Sequence, residues 1–171
     1  MGRMEKYAEL FELLCERFDG ADFGKKAAQK MFYFFEREGI SLNLRYGIHY
    51  YGPYSSKLDD AMYELAMNDY ITIDTTGTTH VISAGTETVS EEALTGEEQA
   101  IAEYVIDKFA HKTPLELEAL STMDYVANSI LKQGATDADI LEKFKEIKGS
   151  KFNQTMVDST LKELKDLDLI A

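Results

Sequence analysis

Apolar positions recur at helical spacing along most of the chain, and this pattern predicts a mainly helical protein. Two stripes of large apolar residues predict helices over residues 5–18 and 25–38, because their members lie three or four positions apart. Gly39 directly follows the second stripe, at the position where a residue with left-handed backbone angles often ends a helix. The tyrosine-rich stretch that comes next alternates weakly and predicts an extended segment over residues 40–51.

A turn and a third helix are predicted after this segment. Gly52 and Pro53 indicate the turn, since the residue before a proline is pushed away from helical backbone angles. Ser56 has the form of a helix cap, and Asp59 supplies the acid of a capping box in the first turn. The third helix is expected to end near Asn68, where its apolar spacing stops.

A β-hairpin is predicted after the third helix. Residues 71–73 and 80–82 are mostly β-branched and flank a tip rich in threonine and glycine, which indicates a single hairpin. The small, polar and acidic residues 83–94 then predict a connector. Helices followed by a hairpin in this order are typical of a winged helix, so we expect a winged-helix-like half over residues 1–92.

Residues 93–171 predict a second, helical half. Residues 96–110 form one apolar stripe, and Thr113, followed by a proline, gives a strong signal for the start of the next helix. Thr136 begins a further helix and Asn153 caps the last one. The short gap between these last two helices is typical of a helix-turn-helix. The two halves could also share one compact core.

A short internal echo links the two halves. Four residue types recur at the same spacing at the end of the third helix and at the end of the last one. They are Glu64, Leu65, Asp69 and Ile71 in the first half and Glu163, Leu164, Asp168 and Ile170 in the second. The echo indicates that these two helix ends pack in the same way in both halves.

The charge balance is strongly acidic and bears on the class of partner. Eighteen Lys and Arg residues against 31 Asp and Glu residues give a net charge of −13, which disfavours general attraction to nucleic acid and favours a basic partner. The third helix and its end carry one basic residue, Lys57, against four acids. These acids are Asp59, Asp60, Glu64 and Asp69. A helix of this charge is poorly suited to enter a DNA groove.

Residue types that carry chemistry are few and scattered. Cys15 is the only cysteine, and its place in the first apolar stripe predicts a small buried residue. His49, His80 and His111 lie far apart, without the spacing of metal ligands. We therefore expect no metal, no cofactor and no enzymatic activity, and an enzyme with His49 as general base ranks last among the functions considered. The chain shows no secretory or membrane-spanning apolar run, so we expect a cytoplasmic protein without a membrane partner.

Three segments of the chain are distinctive: residues 26–35 (KAAQKMFYFF), residues 51–55 (YGPYS) and residues 113–126 (TPLELEALSTMDYV). They resemble, in turn, the lysine-plus-aromatic helix and the Tyr-Gly-Pro turn of the Panacea (SocA-like) domain, and a later helix of the related YwgA-like family. Panacea domains usually contain tryptophan, and its absence here places the chain nearer the YwgA-like branch. The resemblance implies an antitoxin or adaptor module that binds protein partners, and it supplies no catalytic residues.

The predicted partner surface combines basic residues with tyrosines. Spacings of four, three and four positions place one set on a single side of the second helix; this set is Lys26, Lys30, Tyr33 and Arg37. The neighbouring turn adds Tyr50, Tyr51, Gly52, Pro53 and Tyr54. Cationic side chains beside tyrosines are typical of interfaces. The alternative is a solvated helix face with tyrosines that cover the core.

A second set of residues would suit nucleic acid as the alternative partner. These lysines lie just before and inside the turn of the predicted helix-turn-helix, and they are Lys143, Lys145, Lys148 and Lys151. The helix after them is acidic, so a nucleic-acid partner is not expected. Ordinary exposed lysines are the simpler interpretation.

The sequence therefore favours a non-enzymatic protein-interaction module of the antitoxin or adaptor kind. Its partner would be a protein, with a basic toxin as the first candidate, and a homodimer stays open. The alternative function is a winged-helix DNA-binding transcription regulator that uses the C-terminal lysines.

Overall fold

The computed structural model describes residues 3–18 and 23–171. The helices and strands, in chain order, are α1 (Arg3–Phe18), α2 (Lys25–Glu38), β1 (Gly47–His49), β2 (Gly52–Tyr54), α3 (Ser56–Met67), β3 (Ile71–Asp74), β4 (Val81–Ala84), α4 (Gly96–Phe109), α5 (Pro114–Tyr125) with a π-helical turn (Val126–Ile130), α6 (Asp137–Lys148) and α7 (Gln154–Asp166). The described chain is mainly helical and has two small antiparallel hairpins. The prediction of a mainly helical fold is confirmed. The prediction of one hairpin is wrong, because β1 and β2 form another.

The chain divides into two compact units. The first contains Met1–Gly47 and Tyr54–Lys112, and the second contains Ile48–Pro53 and Thr113–Ala171. Helix α4 therefore belongs to the first unit, where it packs against α2, and α5 packs against α7 in the second. The second unit therefore combines residues 113–171 with Ile48–Pro53, a short segment that lies much earlier in the sequence.

Aromatic rings form the centre of the first unit. Helices α1 and α2 contribute Phe11 and Phe32, and α4 contributes Phe109, all of them fully buried. The rings of Phe34 and Phe109 stack with their centroids 3.9 Å apart, and those of Phe11 and Phe32 lie 4.8 Å apart. Removing each such side chain from water contributes about 1.5–3 kcal/mol. The apolar stripes that predict α1 and α2 therefore also hold these helices in place.

Residues just before α2 extend the β3–β4 hairpin. In the hairpin itself, Ile73 lies opposite Ile82. Gly24 forms an antiparallel bridge with Val81, and the amide of Ile82 donates a hydrogen bond to the carbonyl of Phe23 at 2.8 Å. Strand β4 is therefore paired on both of its edges.

Several helix ends follow the local signals of the sequence. Thr113 and Thr136 each form a capping box, and the Asn153 side chain accepts a hydrogen bond from a backbone amide at 2.8 Å. Pro114 occupies the first turn of α5, where its missing N–H is not needed. These three predicted starts are confirmed. So is the end of α2 at Gly39, whose φ is 123°.

The observed cap of α3 lies one residue before the predicted one. The cap is Ser55 rather than Ser56. Its hydroxyl accepts a hydrogen bond from the amide of Leu58 at 3.2 Å and donates one to the carbonyl of Leu44 at 2.6 Å. The Gln29 side chain also binds the amide and carbonyl of Ser55, at 2.8 and 2.9 Å. Bonds from distant parts of the sequence thus select this serine over its neighbour.

Only part of the predicted extended segment, residues 40–51, is a strand. Strand β1 covers Gly47–His49, whereas Asn43 and Arg45 adopt left-handed backbone angles with φ of 55° and 54°. The Glu36 carboxylate accounts for these backbone angles, because three nearby backbone amides donate hydrogen bonds to it. The donors, at 3.0–3.4 Å, are the amides of Leu42, Asn43 and Leu44.

Helices α3 and α7 end in the same way. Asp69 and Asp168 adopt left-handed backbone angles, with φ of 64° and 58°, which the short polar side chain of aspartate tolerates. The amide after each aspartate donates a hydrogen bond at 3.0 Å to a leucine carbonyl, that of Leu65 in α3 and that of Leu164 in α7. The sequence echo therefore corresponds to a repeated helix ending.

Gly85, just after β4, gives a test of this packing. Its amide donates to the carbonyl of Tyr70 at 3.0 Å, and an added Cβ would overlap the carbonyl of Asp69. We expect Gly85→Ala to lower the free energy of unfolding by about 1–3 kcal/mol, because backbone atoms must shift. Gly96→Ala is the control, since nothing lies within 4 Å of its Cβ position, and it should not destabilise. Urea unfolding followed by circular dichroism measures both, and equal losses would contradict the steric explanation.

Candidate functional site

A carboxylate lies at the centre of the second unit. It belongs to Glu118 of α5, a helix in which every residue from 117 to 124 is buried. A helix that is buried on all sides is normally apolar all round. A carboxylate without partners would be costly at this position. The surrounding chain must therefore supply cations.

Two lysines bind this carboxylate. Nζ of Lys148 lies 2.7 Å from Oε2 of Glu118, and Nζ of Lys151 lies 3.0 Å from Oε1 and 2.9 Å from Oε2. Lys148 is the last residue of α6, and Gly149 ends that helix with φ of 59°. This sharp change of direction brings Lys151 back to the same carboxylate. We call Glu118, Lys148 and Lys151 the Glu118 cluster.

The two lysines hold Glu118 ionised. Burial alone would raise the pKa of its carboxyl group, but the hydrogen bonds and positive charges of Lys148 and Lys151 outweigh burial, and the pKa lies below its ordinary value of 4.5. Two ammonium groups and one carboxylate leave one positive charge in excess. Because Lys148 is buried and Lys151 is partly exposed, this charge is accessible to solvent at Lys151.

The turn of the β1–β2 hairpin contacts the Glu118 cluster within the same unit. Tyr50 and Tyr51 make the turn, and we call this pair the tyrosine tip. Nζ of Lys148 donates a hydrogen bond to the carbonyl of Tyr50 at 2.9 Å, which fixes the backbone there. The prediction of a turn at Gly52 and Pro53 is wrong, because both are buried in β2. Gly52 has φ of 101°, so a glycine is needed directly after the turn.

The tyrosine tip is exposed and yet held in place. Tyr50 is 79% exposed and Tyr51 is 42% exposed. Their rings meet edge to face, with centroids 4.8 Å apart and planes at 80°. Nζ of Lys151 lies 5.6 Å from the ring centroid of Tyr50 and 5.1 Å from that of Tyr51, within cation–π distance. The hairpin therefore presents two ordered aromatic side chains beside a positive charge.

The predicted stripe on α2 is not one exposed surface. Lys26 is exposed and Arg37 is half-buried, but Lys30 and Tyr33 are each only 4% exposed. Tyr54, which the same prediction included, is half-buried in the first unit. Helical spacing shows which residues share a side of α2. It could not show that this side is covered, because the whole middle of the helix is buried.

The four C-terminal lysines do not form a cationic face. Lys143 binds Glu146 at 3.1 Å, and Lys145 is exposed. Lys148 and Lys151 both bind the buried carboxylate described above. The interpretation of Lys148 as an ordinary exposed lysine is therefore wrong, because Lys148 is buried against Glu118. Its partner lies 30 positions away in the sequence, so local patterns do not reveal it.

Sequence reasoning missed Glu118 as a site residue. One signal was available, because Glu118 lies between Leu117 and Ala119 in a helix with few charged positions. A charge inside an apolar stretch of helix needs a partner. The sequence does not show where that partner comes from.

Cys15 is half-buried, whereas the sequence predicted burial. Burial raises the pKa of its thiol to about 11, and the nearby Glu12 carboxylate acts in the same direction, so the thiol is protonated at neutral pH. Among residues 3–18 and 23–171, no three His, Cys, Asp or Glu side chains are grouped so that they could hold a metal ion. No helix in the described part of the chain combines the length and apolar character needed to cross a membrane.

No protein-family model and no curated protein matches this chain. The resemblance to the Panacea and YwgA-like families therefore stays a prediction, carried by residues 26–35, 51–55 and 113–126. The Glu118 cluster and the tyrosine tip are the features of the chain whose chemistry bears on function.

Removing Glu118 should destabilise the second unit strongly. We expect Glu118→Ala to lower the free energy of unfolding by about 3–5 kcal/mol, because Lys148 stays buried without a counter-ion. Asp166→Ala is the control, since it breaks an exposed ion pair with Lys162 at 2.8 Å and should cost less than about 1 kcal/mol. Urea unfolding measures both variants. A loss for Glu118→Ala no larger than that of the control would show that the cluster does not hold the unit together.

The lowered pKa of Glu118 also predicts a dependence of stability on pH. The contribution of the ionised carboxyl is complete above its ordinary pKa of 4.5 and is lost as the pH falls through the lower pKa of the folded protein. We expect Glu118→Gln to show a flatter decline of Tm on acidification in this window, because glutamine does not titrate. Thermal unfolding between about pH 6 and pH 3 tests this. Parallel curves for the two proteins would be the contrary result.

Proposed function

We propose that the protein is a non-enzymatic, cytoplasmic protein-interaction module that binds its partner through the tyrosine tip. The proposal rests on the exposed, ordered rings of Tyr50 and Tyr51 on a turn whose backbone is bound by the buried Lys148. Tyrosine is among the residue types that dominate binding energy at protein interfaces. Its ring supplies apolar area while its hydroxyl remains hydrated before binding.

The fixed turn favours binding energetically. A flexible loop loses conformational freedom when it binds, and this loss weakens affinity. The Lys148 hydrogen bond to the Tyr50 carbonyl and the cation–π contacts of Lys151 order the tip before a partner arrives. Tyrosine side chains also have few rotatable bonds. The tip is therefore suited to enter a pocket on a partner as an anchor.

The charge of the whole chain favours a basic protein as the partner, although Lys151 makes the tyrosine tip itself locally positive. A net charge of −13 attracts a positively charged surface over long range and raises the rate of encounter. The proposed role is that of an antitoxin or adaptor of the Panacea and YwgA-like kind, with a basic toxin as its partner. The sequence resemblance supports this role, and the acidic composition agrees with it.

The proposal includes a winged-helix arrangement of the first unit. Support comes from the order α1, the bridge at Gly24, α2, α3 and the β3–β4 hairpin, since a winged helix places a short paired segment between its first two helices. In the second unit, the short connection from α6 to α7 supports a helix-turn-helix.

The alternative is a winged-helix DNA-binding transcription regulator, which the same order of elements favours. Its chemistry is less well supported, because α3 is acidic and three of the four C-terminal lysines bind a carboxylate. DNA binding that weakens steeply with salt and disappears when Lys143 and Lys145 are changed to Gln would favour this alternative.

A double variant of the tyrosine tip tests the proposal. The tagged full chain is used to capture proteins from cells of its source, and captured proteins are identified by mass spectrometry. We expect Tyr50→Ala with Tyr51→Ala to reduce recovery of a specific partner by more than about tenfold, because both anchors are removed. Tyr104→Ala is the control, since Tyr104 is a tyrosine on α4 whose exposure of 39% is close to the 42% of Tyr51.

Two results would contradict this function. One is a chain that captures no protein above the level of an untagged control. The other is a partner recovered equally well by the double variant, which would remove the tyrosine tip from the interface.

A further inference from the structure

Helix α3 carries an exposed face of mixed apolar and acidic character. Four residues at spacings of three and four positions share this side, and we call them the α3 face: Asp60, Tyr63, Glu64 and Met67. Met67 is 84% exposed and Tyr63 is 48% exposed. Methionine is flexible and polarizable, so it adapts readily to the surface of a partner.

Tyr63 is held in place by a lysine of α2. Its hydroxyl accepts a hydrogen bond from Nζ of Lys25 at 3.0 Å, and the same nitrogen lies 4.5 Å from the ring centroid. Lys25 is also paired with Asp59 at 2.9 Å. Its positive charge is therefore balanced locally, and the α3 face keeps its acidic character.

A cavity of about 80 Å³ opens between the end of α3 and the start of α1. Its apolar walls include Ala8, Leu65 and Val89, and its charged lining residues are Glu5 and Glu64. Among the described residues that line it, none is a lysine or an arginine. Glu64 belongs to both the cavity and the α3 face, so the two form one continuous surface.

We propose that the α3 face and this cavity bind a basic segment of a partner protein, with a lysine or arginine side chain in the cavity and an apolar side chain on Met67. The inference rests on the proposed function in that the partner is a protein, and it adds a second contact surface. A long basic side chain suits this surface, because its methylene groups would lie against the half-buried Val89 while its charged end reaches the exposed Glu64.

Charge selects this occupant over two others. A second copy of the chain carries the same net charge of −13 and would bring further acids against the α3 face. Nucleic acid is disfavoured for the same reason, because its phosphates would face Asp60 and Glu64. A basic protein segment gains from these carboxylates and from the field of the whole protein.

A short synthetic peptide tests this inference directly. The probe is a dye-labelled hexapeptide of alternating arginine and leucine, and the same peptide with glutamate in place of arginine controls for charge. Fluorescence anisotropy with the full chain, at about 0.1 M salt, measures Kd. We expect the arginine peptide to bind and the glutamate peptide not to bind.

Matched variants then locate the binding surface. Glu64→Gln should weaken binding of the arginine peptide about fivefold, and Met67→Ala should weaken it by a similar factor. Glu91→Gln removes the same charge from an exposed position outside the surface and should change Kd by less than about twofold. Equal weakening by Glu64→Gln and Glu91→Gln would show that the peptide senses net charge alone and would overturn the inference. Failure of the arginine peptide to bind would overturn it as well.

The double variant of the tyrosine tip separates this inference from the proposed function. Tyr50→Ala with Tyr51→Ala should bind the arginine peptide unchanged, because the tip does not belong to the α3 face. A protein that binds the peptide through Glu64 but captures no partner would contradict the proposed function alone. A protein that captures a partner through the tip but ignores the peptide would contradict this inference alone.

Discussion

One buried carboxylate ties together three stretches of the second unit. Glu118 belongs to α5, Lys148 and Lys151 come from the end of α6 and the turn after it, and Lys148 also binds the carbonyl of Tyr50. Buried charges of this kind add little net stability, since desolvation offsets their attraction. Their effect is to fix the relative positions of these stretches, because a displaced stretch would leave a buried charge without its partner. The position of the tyrosine tip follows from that requirement.

Local rules account for the parts of the fold that could be predicted. The caps at Thr113, Thr136 and Asn153 depend on residues a few positions away, so the sequence alone reveals them. Ser55 and Lys148 could not be assigned in this way. Ser55 is selected by Gln29, 26 positions away, and Lys148 binds a carbonyl 98 positions away. Long-range hydrogen bonds of this kind leave no periodic trace in a sequence.

Composition and exposure were not equally predictable at the candidate sites. The acidic character of α3 follows from Asp60, Glu64 and their neighbours, because charge is a property of composition. Exposure depends on what covers a side chain, so the burial of Lys30 and the exposure of Met67 required the structure. The tyrosine tip lies between these cases. Its residue types indicated an interface, but the carboxylate that orders it was hidden in a distant helix.

The two stretches of chain that make up the second unit are synthesised at different times. Ribosomes release Ile48–Pro53 well before Thr113–Ala171, although both belong to the second unit. During that interval the hairpin has neither Lys148 nor Lys151 to order its tyrosines. In a nascent chain, the rings of Tyr50 and Tyr51 therefore lack their cationic contacts until residue 151 has been synthesised.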